Sequence, residues 1–371
     1  MRKNELDWLR VILFGLLIFY HVGMFFVPWE FHIKNNEIYP GLRYPMLFLN
    51  QWRLPLLFII AGMGTFFALR KRTAGQFAGE RFSRLMVPLL FGMLVIVSPQ
   101  IYFERLAHGQ FTGGYFDFYP SQIFVNGAYP KGNFSWHHLW FLPYLFLFSL
   151  LLLPVFRYLR NHPANSFSKR IAAWAASPWG LFRLIVPLYV WESLVEPFFE
   201  STHALVGDWF NLLNYGTFFL YGFILISVGE PFWHTVRTHK QKYLASGLIF
   251  FTLLIGIREL YEDSTLVHFI EAFFKVTNLW CWIMALFGYA STYLAHRNKF
   301  VEYANEAVYP FYILHQTVMI ALAFYLMNLS WGLPIKFTVL ATGTFVFTFG
   351  IYELLIRRWK FVRPLFGLKN K

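Results

Sequence analysis

Ten stretches of mainly apolar residues, each close to the roughly twenty that a helix needs to cross a bilayer, dominate this sequence of 371 residues. They run over 9–27, 54–70, 84–103, 139–157, 180–198, 209–228, 243–261, 267–295, 306–328 and 335–357. Only 14% of the residues are charged and 57% are hydrophobic, whereas a soluble domain carries about 25% charged residues. Most of this chain has no water to face. Within hydrocarbon each backbone N–H and C=O must find its partner inside the segment, so spans of this length are helices. The expected fold is all-α, a polytopic integral membrane protein of about ten transmembrane helices in a single membrane-embedded domain, 1–371. Met1 to Val27 lacks a small-residue cleavage site after its apolar stretch and reads as an uncleaved first span.

The net charge of +13 has a topological cause. Most of the 32 Lys and Arg residues fall into alternate connections and the two ends. Arg2, Lys3 and Arg10 lie at the start, Arg70, Lys71, Arg72, Arg81 and Arg84 in the second connection, and Arg357, Arg358, Lys360, Arg363, Lys369 and Lys371 in the tail. The positive-inside rule then puts both termini in the cytoplasm, with an even number of spans between them. Two connections assigned outside lean acidic, through Glu200 and Asp208 and through Glu259, Glu262 and Asp263. No basic patch interleaved with aromatics stands in a polar domain, so no nucleic-acid partner is expected. Membrane lipids are the expected surroundings, in a bacterial cytoplasmic membrane. The single cysteine, Cys281, sits in an apolar run and reads as packing.

Two spans carry irregularities. Arg53 and Pro55 interrupt 44–70, which makes the start of that helix uncertain, and Glu271 and Lys275 stand four apart, as an ion pair along one helix would. The longest connection, 104–138, is rich in Gly, Tyr, Phe and Asn and lies outside in this topology. It suits an ordered cover whose aromatic rings stack on sugars, or a plain interfacial one.

Ionisable side chains inside spans are costly, and each is a functional candidate for that reason. Arg10 and His21 are eleven residues apart in the first span. At about 100° per residue they share a face, roughly 16 Å apart along the axis. Arg10 falls near the cytoplasmic boundary and His21 near mid-membrane. A neutral imidazole is inexpensive to bury and serves as a general base near pH 7; the plainer alternative is a histidine hydrogen-bonded between helices. His315 lies at a depth close to that of His21, so the two imidazoles are candidates for one acid/base site. Arg81 and Arg84 fall at the same boundary as Arg10. Arginine forks suit phosphate, and the alternative for each is ordinary positive-inside charge. Arg53 reads as a contact for an anionic group or as a snorkelling side chain. His138 and the nearby Trp140 open the fourth span on the outer side, where they are candidates to meet an acceptor.

Four ordered motifs resemble the membrane acyltransferase-3 family. They are Arg10 with His21 on the first helix, RFSRL (Arg81 to Leu85) after LFIIAGMGTFF, HHLWFL (His137 to Leu142), and YPFYILH (Tyr309 to His315). Ala61 departs from the pattern, standing where Ser is usual before the glycine. WEFHIKN and QWRLPLLF are similar to the branch containing periplasmic-glucan succinyltransferases. The resemblance implies O-acylation, of the succinyl or acetyl class, of an extracytoplasmic carbohydrate, with acyl-CoA as donor. It maps the catalytic histidine to His21, its supporting arginine to Arg10, and the donor-side arginine pair to Arg81 and Arg84. No metal is expected: the sequence has no H-E-x-x-H, and it lacks G-x-S-x-G and P-loop patterns as well. His203 and Asp208 spell the H-x4-D of glycerolipid acyltransferases, but in an outside connection, and read as coincidence. The alternative function is a transporter or flippase of a glycan or acylated intermediate. That class usually shows pseudo-repeated halves with broken helices, and no internal repeat is visible.

Overall fold

Each apolar stretch is helical. The computed structural model describes residues 3–370, so the charges at Arg2 and Lys371 lie outside the described residues. Among the described residues eight helices are long and apolar enough to span a membrane: α1 (Asn4–Met24), α2 (Arg43–Leu69), α3 (Ala74–Ala107), α9 (Trp209–Val228), α10 (Glu230–Leu260), α11 (Thr265–Tyr293), α12 (Lys299–Leu326) and α13 (Leu333–Ile356). A short helix, α4 (Tyr115–Gln122), follows α3. Two further apolar segments are bent helix pairs, each a broken span or a re-entrant loop: α5 (His137–Leu151) with α6 (Leu153–Asn161) at 48°, and α7 (Ser166–Ala175) with α8 (Pro178–Phe198) at 119°. Pro154 and Pro178 stand in the first turns of α6 and α8. Ser177 before Pro178 is extended, as a residue before proline favours, which breaks the second pair; Pro154, lying within α6, has no N–H to continue the ladder of α5 across Leu152. With each bent pair counted as one span the total is ten, as the hydropathy implies. Helix α2 starts at Arg43, well before the expected 54, and keeps Pro55 inside it. Neighbouring groups in a membrane bundle re-satisfy the carbonyl that proline leaves free.

The chain divides into two compact units. One comprises the start of α1 as far as Arg10, then Asn50–Ala78 and Leu147–Val301; the other comprises Val11–Leu49, Gly79–Phe146 and the segment from Glu302 onward.

In the first unit, α2 and α9 meet backbone to backbone. A Cβ on Gly62 would lie 2.0 Å from the Phe219 carbonyl oxygen, and one on Gly222 would lie 2.0 Å from that of Ile59. Without water to drive helices together, such small-residue approaches carry much of the packing. The expected Glu271–Lys275 pair does not form. Glu271 instead pairs with Arg258 of α10, and Lys275 with Glu192 of α8. A partner on a neighbouring helix fixes two elements at once, and here it replaces the one four residues along. Asp208 accepts from the backbone N–H groups of Thr202 and His203 and from Asn211. The H-x4-D pair therefore shapes a turn ahead of α9.

In the second unit the C-terminal half of α1 packs on α12 and α13 through Ile18, Val22, Phe25, Met319, Ile320 and Leu340. The segment 25–39 that follows α1 is pinned by two lysines. Lys34 Nζ donates to the carbonyls of Met24, Val27 and Trp29, and Lys336 Nζ donates to Asn35, Asn36 and the Met327 carbonyl. Half-burial pushes the Lys34 ammonium down to about 8. Helix α3 is irregular, with wide π-type turns at Phe82–Met86 and Gly92–Ile96. Such turns shift the facing of side chains and recur at functional sites. Gly92 admits the Leu139 side chain, which would lie 2.3 Å from a Cβ there.

Candidate active site

Helix α12 organises the site through three residues spaced three apart, Tyr309, Tyr312 and His315. At that spacing they follow one another along one face of the helix. Each reaches a different motif. The Tyr309 hydroxyl donates to the Arg84 carbonyl at 2.8 Å, and the Tyr312 hydroxyl donates to the His138 carbonyl at 2.6 Å. His315 Nε2 lies 2.7 Å from His21 Nδ1 with the rings stacked 15° from parallel.

The partners of the dyad fix its tautomers. His315 Nδ1 faces two carbonyls, those of Tyr312 at 2.7 Å and Phe311 at 3.2 Å. A carbonyl only accepts, so Nδ1 carries the proton and, in the neutral ring, Nε2 is the acceptor. His21 Nδ1–H therefore donates to His315 Nε2, and His21 Nε2 becomes the nitrogen that bears the lone pair. His315 is fully buried, at 0% exposure. A second layer supports it. His138 stands edge-on to His315, with 5.2 Å between ring centres, and its Nε2–H donates to the Ile313 carbonyl at 3.0 Å. Gln100 links His138 Nδ1 to Thr317, and Gln316 donates to Gln100. Buried polar groups of this kind rigidify a site when their bonds are made.

His21 and His315, both singled out from the sequence, stand in hydrogen-bonding contact. His138, expected on the acceptor side or against a loop, is buried against the backbone of α12 instead. Trp140 stacks edge-on with Tyr144 in α5. Arg84 is 46% exposed beside Glu80, at 3.7 Å. Arg10, in the first unit, pairs with Asp7 at 3.1 Å; that carboxylate was not singled out from the sequence. Arg53, also in the first unit, is only 2% exposed. A snorkelling side chain keeps its head in water, so that reading fails.

Residues 108–136 form an ordered connection between α3 and α5. Tyr102, Phe111, Tyr115 and Phe118 cluster edge to face, while Phe116 stands 88% exposed. Arg105 ties the far limb down through Asn133, Gly132 and Pro130. Beneath it lie residues that sequence reasoning missed: His32, Glu104 and His137. His32 Nδ1 is 2.5 Å from Glu104 Oε2, and the His32 and His137 rings are 4.4 Å apart. Phe31 stacks between this group and the dyad, 6.2 Å from His21 and 5.0 Å from His32. Burial, reinforced by the Glu104 carboxylate, pushes the nearby Tyr129 phenol up to about 12. The signal for these residues was faint, since they come from three separated segments.

Residues 3–353 match the acyltransferase-domain family Acyl_transf_3. The chain belongs to the acyltransferase-3 family. Among curated proteins it is similar to Glucans biosynthesis protein C of Escherichia coli O81 (strain ED1a), 23% identical over 336 residues, covering 88% of this chain and 84% of the relative. The protein of that name from E. coli K12 / DH10B is 22% identical over 334 residues with the same coverage. No solved structure matches the chain. This acyltransferase-3 chain is an integral, multi-pass membrane acyltransferase.

Proposed function

We propose that this enzyme transfers an acyl group, of the succinyl or acetyl class, from acyl-CoA to a hydroxyl of a glucan-type carbohydrate, with His21 as general base. The observation that carries the reading is the 2.7 Å contact between His21 Nδ1 and His315 Nε2, together with the commitment of His315 Nδ1 to the Tyr312 carbonyl. His21 Nε2 takes the acceptor proton as the hydroxyl oxygen attacks the thioester carbonyl. The C–O bond forms, the C–S bond breaks, and the proton passes from His21 to the leaving CoA thiolate. His315 holds the base in its working tautomer and receives a hydrogen bond from the imidazolium while it exists, a part played elsewhere by a carboxylate. The guanidinium groups of Arg81 and Arg84 supply charge for the phosphates of the donor, and the aromatic cover with Phe116 suits a sugar acceptor. The names of the curated relatives support a glucan acceptor. The donor is expected on the cytoplasmic side and the acceptor outside.

The test is a transfer assay with purified enzyme in lipid vesicles, succinyl- or acetyl-CoA and a linear β-glucan. New ester on the glucan, found by mass spectrometry and absent with His21→Ala, supports the reading. Ester formation that persists at wild-type rate in His21→Ala would sink the general-base assignment.

A further inference from the structure

The group His32, Glu104 and His137 is built from three segments far apart in sequence: the loop after α1, the end of α3 and the first turn of α5. One ligand atom from each lies within 4.8 Å of the others. Glu104 is 2% exposed. A carboxylate in such a place calls for positive charge, and the nearest fixed cation, Arg105, stands 3.9 Å from Oε1 while its donors serve Asn133, Gln110, Pro130 and Gly132. His137 Nδ1 lies 3.1 Å from Ser135 Oγ, so Nδ1 has a partner; His137 Nε2 is buried without a hydrogen-bond partner. His137 is also held at φ 39°, a backbone region that non-glycine residues rarely occupy. An orphaned imidazole nitrogen, held beside a buried carboxylate and a second imidazole, has the chemistry of a ligand set.

We propose that His32, Glu104 and His137 bind one divalent transition-metal ion, Zn2+ in the first instance. Two imidazoles and a carboxylate form the three-ligand set of open zinc sites, with metal–ligand distances of about 2.0–2.2 Å. Mixed N/O donors exclude the oxygen-loving Mg2+ and Ca2+ as preferred occupants. His32 Nδ1 and Glu104 Oε2 lie 2.5 Å apart. The cation takes the place of the hydrogen between them, and the neutral His32 ring then carries its one hydrogen on Nε2. Tetrahedral ligands stand roughly 3.3 Å apart, so the close pair opens and the third donor draws in, movements that imidazole and carboxylate rotations supply. The Ser135 hydroxyl serves as the outer partner that orients a metal-bound histidine. A fourth position remains for an oxygen ligand.

The test uses the untagged full chain in detergent, freed of metal with a chelator, and ZnCl2 alone as the probe. Calorimetry on the wild type is expected to show one equivalent bound at micromolar affinity or tighter, and Zn2+ is expected to raise the melting temperature. Glu104→Gln and His137→Ala should each weaken binding by at least tenfold, while His21→Ala should bind as the wild type does. Electron paramagnetic resonance of the Cu2+-loaded wild type should show two imidazole nitrogens, a readout that needs no variant to fold. Absence of stoichiometric binding, unchanged affinity in Glu104→Gln, or a Cu2+ spectrum without two imidazoles would each overturn the site.

Discussion

The hydroxyl of Tyr309 donates to the backbone carbonyl of Arg84 at 2.8 Å, joining α12 to the irregular turn of α3 that carries this arginine. Gly367 closes against the same tyrosine: a Cβ there would fall 2.1 Å from the ring, and its φ of 68° already favours glycine. The position of Arg84 is thus set from α12, the helix that also sets His315.

Tyr309→Phe removes one hydrogen bond of about 0.5–1.5 kcal/mol and leaves the ring in place. It is expected to raise the KM for acyl-CoA several-fold with a smaller change in kcat. Gly367→Ala displaces the ring as well and should cost more, both in donor KM and in melting temperature. Equal kinetics for Tyr309→Phe and wild type would detach this bond from donor binding.

Lys34 links the fold to pH. Its folded pKa, about 8 through burial, is below the ordinary lysine value of 10.5. Below pH 8 folded and unfolded chains both hold the proton, and the folded state carries the cost of a half-buried charge. Between 8 and 10.5 the unfolded chain holds more of it, so raising the pH favours the folded state. Thermal unfolding in detergent should therefore show the wild type gaining on Lys34→Met as pH rises through that window. A gap between the two that is flat or shrinks from pH 8 to 10.5 would refute the depressed value.

Orientation is open to a direct check. The positive-inside rule predicts that the connections at Lys131 and Asp208 lie outside and those at Thr73 and Asn298 in the cytoplasm. In a Cys281→Ser background, single cysteines at the first two positions should label with an impermeant thiol reagent in intact cells, and those at the second two should not. The reverse pattern would exchange the donor and acceptor sides.

Membrane physics made the spans legible. Length and apolarity suffice to mark a helix that must satisfy its own backbone, and the ten stretches all proved helical; one break falls inside 139–157, the other just ahead of 180–198. The start of α2 was misplaced because Arg53 and Pro55 look like boundaries in sequence, whereas a bundle buries the one and tolerates the other. In the site, His21 and His315 stood out as titratable groups at similar depth. Their partners did not. Tyr312 and Gln100 act through a backbone carbonyl and a side-chain amide, which leave no pattern in hydropathy. Glu104 fell at the rim of its span, and His32 lay in a connection, so nothing in their spacing pointed to His137. The Glu271–Lys275 expectation failed for a related reason: periodicity predicts neighbours on one helix, and the better partners stood on others.

The dyad itself makes the sharpest prediction, because the two histidines are assigned different work. His21→Ala removes the base and is expected to lower kcat by about 10²–10⁴-fold while CoA affinity and melting temperature stay near wild type. His21→Gln keeps a hydrogen-bonding group but cannot take a proton, and should fall almost as far. His315 only has to accept from His21 Nδ1–H and hold it. In His315→Gln the side-chain carbonyl oxygen can still accept, so the variant should retain part of the activity, whereas His315→Leu should approach the His21 variants. Fast kinetics for His21→Gln would rule out proton abstraction by that residue. Equal loss in His315→Gln and His315→Leu, with both folded and binding donor, would mean that His315 does more than accept one hydrogen bond, and the base would then have to be assigned to the pair.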